Sequence, residues 1–225
     1  MRSIGAVLLG CLTVTLGSHA AAVEPAADEH RWPILFQDDF ELGLARWSSP
    51  DPVAFRLTEI DGNHVIDQFQ QSQVRTPVRS PFNRALVSDV VVGSFQLDLK
   101  FRSTARDYPH RSLCLFFGFQ DPAHMYYVHF GQKTDDHANQ IFIVNDAPRT
   151  KISTKTTPST PWTTSGTTPA SSAMSRPARS KSTSTTWRHR SCAVDKTFEW
   201  GRVGVGSFDD TGLFDDVVLR GAAVE

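Results

Sequence analysis

Apolar residues in this chain recur with a period of two, and that spacing restricts the fold more than any other feature. Phe95, Leu97, Leu99 and Phe101 alternate with Gln96, Asp98 and Lys100. Successive side chains of a strand point to opposite faces, so this run has one buried and one wet face. Leu113, Leu115, Phe117 and Phe119 form a second such run. In Met125 to Gly131, Tyr126, Val128 and Phe130 take one face, while Tyr127 and His129 take the other. Val53 to Glu59, His64 to Phe69, Leu86 to Val92, Gln140 to Asn145, Gly201 to Phe208 and Phe214 to Leu219 read as further strands. That makes about ten strands with turn residues between them and no crossover helices, which predicts an all-β, two-sheet antiparallel sandwich.

The 225 residues carry a net charge of −1, and 40% of them are hydrophobic. Charge so near neutrality argues against nucleic acid as a partner. The N-terminus reads as a signal peptide over 1–22. Arg2 supplies the positive region, Ile4 to Leu16 the apolar run, and Ser18-His19-Ala20 and Ala20-Ala21-Ala22 the small-x-small cleavage sites. The run is too short to span a bilayer, so no transmembrane segment is expected and the product is secreted or periplasmic. Leu8-Leu9-Gly10-Cys11 is a poor lipoprotein box, because the apolar stretch before it is brief. Residues 23–32 form a leader, and 33–222 hold the β-domain. Cys114 lies in an apolar strand and reads as a buried, inert thiol. No metal-binding cysteine cluster is present.

One segment breaks the pattern. Between Ile152 and Val194 there is no Val, Ile, Leu, Phe, Tyr, Asp or Glu, and 15 of the 30 residues from Thr163 to Cys192 are Ser or Thr. Such a stretch buries too little apolar surface to offset its ordering entropy, so 153–192 is expected to be irregular and the chain poorly soluble. It reads either as a Ser/Thr-rich linker or as a local shift of reading frame. Reading from the third base of the Thr163 codon permits a string with two strand-like runs, H-A-R-V-V-R-D-V (preceded by W-H) and K-I-E-V-Y-F-D-D, joined by a short glycine turn.

Gln37-Asp38-Asp39-Phe40-Glu41, continuing through Gly43-Leu44 to Trp47, resembles the opening strand of concanavalin A-like jelly rolls. Gly201 to Asp210, followed by Phe214-Asp215-Asp216-Val217, resembles their closing pair. In such domains a W-H-x-V and an I-x-V-Y-F-D strand precede that pair, and the shifted frame supplies both. The group includes laminin G-like modules, family 16 glycoside hydrolases and 3-keto-disaccharide hydrolase-type domains. The resemblance implies the fold and leaves the activity open.

Such folds set first and last strands side by side, which would bring Asp39 near Asp216. Two close carboxylates repel unless a cation or a donor separates them, so a structural Ca²⁺ between them is one reading and water-facing turn residues are the other. For a ligand, the polar face of the Tyr126 strand nominates Tyr127 and His129, with Asn145 and Arg149 beyond. Aromatic platforms and planar polar groups together suit a carbohydrate or another extracellular polymer. The flanking His110, Arg111 and Asp135-Asp136-His137 belong to the same polar cluster, and the latter three read as a loop rather than a metal site. Trp32, Trp47 and Trp162 read as packing residues. For hydrolysis the family 16 string E-x-D-x-x-E is missing. Asp98 is the one mid-strand acid and thus a weak catalytic candidate, with Glu59 and Asp67 as partners.

Overall fold

The computed structural model describes residues 32–162, 168–174 and 191–224. The expected signal peptide, most of the leader and much of the Ser/Thr-rich segment lie outside the described residues. In chain order the strands are β1 (Ile34–Asp38), β2 (Trp47–Ser48), β3 (Phe55–Ile60), β4 (Asn63–Gln68), β5 (Asn83–Val87), β6 (Val92–Ser103), β7 (Ser112–Asp121) and β8 (His124–Gly131). Then follow β9 (Ile141–Asn145), β10 (Thr150–Lys151), β11 (Ser153–Lys155), β12 (Thr168–Met174), β13 (Cys192–Ala193), β14 (Arg202–Ser207) and β15 (Gly212–Ala223).

The sandwich is antiparallel. One sheet runs β12-β6-β15-β4-β3, with β1 also on β15; the other runs β10-β9-β8-β7-β14-β5-β2, and β11 and β13 form a small ribbon. β4 and β1 share an edge of the long β15 end to end. Gly212 to Phe214 face Gln68 to Ile66, and Val217 to Arg220 face Asp38 to Ile34. The expected seam between chain start and chain end is thus present, with Asp38 opposite Val217.

Alternation explains the core. Phe95, Leu97, Leu99 and Phe101 of β6 are buried between the sheets with Leu113, Leu115, Val128, Phe130, Val203, Val205, Phe214 and Leu219. Gln96 and Asp98 on the other face are half-buried and Lys100 is exposed. The Asp-Asp-Phe opening has a local cause. Asp38 is buried; its Oδ1 accepts from the Phe40 N–H at 2.9 Å and its Oδ2 from Trp47 Nε1 at 2.9 Å. That clamp drives Phe40 and Trp47 together, with ring centroids 5.5 Å apart. Trp162 packs edge-on against Phe101 and donates to the Arg111 carbonyl, so both tryptophans pack as expected.

Three expectations need correction. Phe119 does not share the core face of Leu113, Leu115 and Phe117. Gly118 takes φ +54°, a left-handed value, and the β7 register slips there against both neighbours. The extra residue turns Phe119 to the opposite face, as a bulge does. The strand expected at Leu86 to Val92 is centred earlier, on β5, whose two faces are both buried. The segment 153–192 is not irregular throughout. β12 pairs with β6 over seven residues, from Thr168 opposite Phe101 to Met174 opposite Phe95, and β11 pairs with β13. Main-chain pairing asks nothing of side-chain hydrophobicity, and β6 offers an unpaired edge there.

Candidate binding site

The second sheet has apolar side chains on both faces. Away from the sandwich core, Leu86, Cys114, Phe116, Phe119, Met125, Tyr127, Phe142 and Val144 form a second buried cluster, joined by Val78 and Phe208 from loops. The register explains the set, because Cys114 lies opposite His129, Phe116 opposite Tyr127, and Tyr127 opposite Phe142. Tyr127 and Phe142 stack at 5.1 Å. β14 crosses this face with glycine, since a Cβ on Gly204 would sit 2.4 Å from the Ala85 carbonyl oxygen. Burial holds the Cys114 thiol well above its ordinary range, consistent with an inert thiol.

At one end of this face loops enclose a cleft of about 160 Å³. Ser112 and His129 come from β7 and β8, and Tyr108 and His110 from the loop before β7. Arg79, His137, Arg149, Phe208 and Asp209 come from four other loops. A second cleft of about 320 Å³ shares Tyr108 and Asp209 and adds Gln71, Arg106 and Asp210. The two therefore adjoin across the Tyr108–Asp209 pair.

A buried polar knot positions this rim. Gln68 Nε2 donates to Ser207 Oγ at 2.8 Å and to the Asp210 carbonyl at 2.6 Å. Asn83 Nδ2 donates to Ser207 Oγ and to the Phe208 carbonyl, and its Oδ1 accepts from the Ser72 N–H. Both sheets and the loop before β5 are thereby tied to the β14–β15 turn that carries Phe208 and Asp209. Beneath it the buried Asp210 carboxylate accepts from Tyr108 Oη at 2.7 Å and from the Ser112 N–H at 2.7 Å. Burial raises the Asp210 pKa against those donors, and it raises that of Tyr108 as well, with the carboxylate adding to the effect. Tyr108 is accordingly a neutral donor.

His129 is buried, and its Nδ1 accepts from the Asn139 N–H at 3.2 Å. The neutral ring then carries its proton on Nε2. Burial first, and the Arg149 and His110 charges next, pull its pKa down to about 3. Arg149 Nη1 donates to Tyr127 Oη at 3.1 Å, and the guanidinium lies 4.7 Å from the Phe142 ring and 4.4 Å from Phe208. Arg79 lies 5.6 Å from the same Phe208 ring, and its carbonyl accepts from the Arg149 N–H at 3.0 Å.

Of the residues nominated from sequence, His129 and Arg149 line the cleft, whereas Tyr127 is fully buried behind Arg149's hydrogen bond and does not line it. Asn145 lies elsewhere, exposed and opposite His124 on β8. That is five residues along the strand from His129, or roughly 17 Å. His110 and His137 join the cleft, whereas Arg111 is buried and donates to Ser103. Asp135 pairs with His110 at 2.7 Å and Asp136 with Lys151 at 2.5 Å. Nothing in the sequence marked Tyr108, Arg79, Phe208 or Asp209 as site residues, because only the tertiary fold brings their loops to one edge.

Asp98 belongs to the other sheet, where Arg220 Nη1 reaches its Oδ2 at 3.0 Å and Gln96 donates to the same oxygen. Asp67 is buried with Arg56 at 2.8 Å, and Glu59 lies opposite His64 on the β3–β4 hairpin. Asp216 pairs with Lys100 at 2.5 Å, and Asp39 accepts from the Glu41 N–H. Among the described residues no three His, Cys, Asp or Glu side chains gather as a metal site. No helix there is long and apolar enough to cross a membrane.

No protein-family model and no curated protein matches this sequence. Among solved structures, the carbohydrate-binding module CBM66 from Bacillus subtilis is similar, with a TM-score of 0.49 and 12% identity over 79% of this chain and 97% of that one. A likeness of that size assigns neither residues nor ligand.

Proposed function

We propose that this chain is an exported jelly-roll module that binds a carbohydrate or a related extracellular polymer in the paired clefts. The observation that carries the reading is the composition of the first cleft. Planar polar side chains (His110, His129, His137, Arg79, Arg149) surround the half-buried Phe208 ring over a rigid sheet. Convergent polar groups on an apolar floor are what a ligand site needs. Two depressions that adjoin suit a chain molecule better than an isolated small one.

Hydrolysis is less well supported. Glycoside cleavage uses two carboxylates facing the scissile bond. Among the described residues Asp209 alone supplies a carboxylate to the first cleft. In the second, both oxygens of Asp210 already accept hydrogen bonds. Titration calorimetry against a panel of oligosaccharides is the test, with binding and no turnover expected. Release of sugar from a 3-keto-glucoside would instead assign a hydrolase. Capture of a protein partner unaffected by competing sugars would assign a laminin G-like interaction module. Export is supported by the N-terminal pattern, and N-terminal sequencing of the mature protein should begin at Ala21 or Val23.

The reading-frame shift over 163–192 belongs to the same proposal. In the shifted frame H-A-R-V-V-R-D-V falls on the codons that here encode β12, a position beside β6 that already takes strand backbone. Sequencing the gene across this stretch decides it. A gene that encodes 163–192 in the frame of this sequence would leave the Ser/Thr-rich linker.

A further inference from the structure

Some cations among the described residues pair with carboxylates, and others stand beside aromatic rings instead, as Arg46 does by Phe36 and Arg202 by Phe119. Arg56, Lys100, Lys151 and Arg220 each meet a carboxylate within 3.0 Å. The three guanidiniums at the clefts do not. Arg79 and Arg149 lie 5.6 Å and 4.4 Å from the ring of Phe208, and Arg106 lies 5.4 Å from the ring of Tyr108. Among the described residues none of the three forms an ion pair with an acid. Asp209 lines both clefts, yet it too makes no ion pair with them. Asp210, the other acid here, is already satisfied by Tyr108 and Ser112.

We infer, on the basis of the binding reading above, that the ligand is an acidic saccharide whose uronate carboxylate is held between Arg79 and Arg149 beside Phe208. Three physical points support this. A guanidinium is a planar fork that matches a carboxylate bidentately, and stacking on an aromatic ring pre-orients the fork without using its donors. Arg149 is fixed by both the Phe142 and Phe208 rings and by Tyr127, so it loses little freedom on binding. His129, neutral with Nδ1 engaged by Asn139, offers an Nε2–H donor in the same cleft to a ring hydroxyl.

The full-length chain should be titrated with oligogalacturonides, with the same oligomers fully methyl-esterified, with neutral gluco- and fructo-oligosaccharides, and with a sulfated oligosaccharide. The free oligogalacturonide should bind, and its affinity should fall as salt rises from low to high ionic strength. Methyl esterification should weaken it by about ten-fold or more, the loss expected of one charge-assisted hydrogen-bonded pair. Arg79→Gln should do the same. Arg79 has an exposed side chain, and its backbone bond to the Arg149 N–H does not depend on the guanidinium, so this variant keeps the fold; Arg149→Gln, which also loses its Tyr127 bond, serves as the second variant, with its folding checked by circular dichroism. Equal affinity for free and esterified oligomers, indifference to Arg79→Gln, or binding of the sulfated oligosaccharide alone would each overturn the uronate assignment. Tight binding of a neutral oligosaccharide, unmoved by salt and by Arg79→Gln, would overturn it while leaving the carbohydrate-binding reading intact. No binding of any saccharide would overturn both.

Discussion

Acidification should destabilise this protein through His129. In the unfolded chain its imidazole titrates near the ordinary 6.5; in the fold it is held at about 3. The cause is burial, reinforced by the Arg149 and His110 charges and opposed only by Asp135. Protonation would also set a second donor against the Asn139 N–H that Nδ1 now accepts. Because the folded pKa is depressed, the stabilising contribution is complete above pH 6.5. It is lost as pH falls toward 3, since only the unfolded chain takes up the proton in that window. At pH 5 the gap is about 1.5 pH units at 1.36 kcal/mol each, or roughly 2 kcal/mol. For a domain of this size that corresponds to about 4–8 °C in Tm. His64 and His124 act in the opposite sense. Their pKa values are raised by Glu41 and by Asp121 with Asp146. Their contributions are present below pH 6.5 and fade as pH rises through the folded values. Both are solvent-exposed pairs and contribute little. Urea denaturation at pH 7.5, 6 and 5 should compare the native chain with His129→Asn, whose Oδ1 can still accept from Asn139 but does not titrate. The native chain should lose about 2 kcal/mol more than the variant between pH 7.5 and 5. Parallel pH profiles would refute the assignment of a buried, neutral His129.

Other outcomes follow from single contacts. Gly118→Ala places a Cβ on a left-handed backbone 3.0 Å from Tyr126 Cδ2 and should cost about 1–2 kcal/mol in urea denaturation. Trp47→Phe removes the Nε1 donor to the buried Asp38 and should cost about 1–3 kcal/mol, with Asp38→Asn showing non-additivity in the double-mutant cycle. Asp98→Asn should leave saccharide binding unchanged in calorimetry, because Asp98 pairs with Arg220 on the opposite sheet. Gly204→Val, whose Cβ would meet the Ala85 carbonyl and the Leu86 side chain, should fail to give soluble protein, as judged by soluble yield against Gly93→Ala.

Much of the fold was legible in one dimension, since alternation of period two follows directly from strand geometry. Phe95 to Phe101 therefore declared both their strand and its inward face, and Tyr127 and His129 declared themselves opposite to Val128 and Phe130. What alternation could not show was where it breaks. Phe119 reads as a continuation of Leu113, Leu115 and Phe117, and only a left-handed Gly118 moves it to the other side. Nor could alternation show that the polar-looking side of β8 is itself buried. Tyr127 and His129 are exposed in pattern but covered in fact, because loops carrying Val78 and Phe208 fold over them. The Ser/Thr-rich stretch illustrates a third limit. Composition predicts disorder from side chains alone, whereas β12 takes its place through main-chain bonds to β6.

Local sequence thus determined the strands, their inward faces and the Asp38 clamp that joins Phe40 to Trp47, because those depend on neighbours one to nine residues away. The tertiary structure decided the site. Arg79, Tyr108, His137, Arg149 and Asp209 are scattered over 131 positions of the chain, and no periodicity relates them. They converge because the Gln68–Asn83–Ser207 knot pins the loops of both sheets to one edge. Convergence of that kind is a property of closure in three dimensions, where hydrogen bonds span more than a hundred residues of sequence.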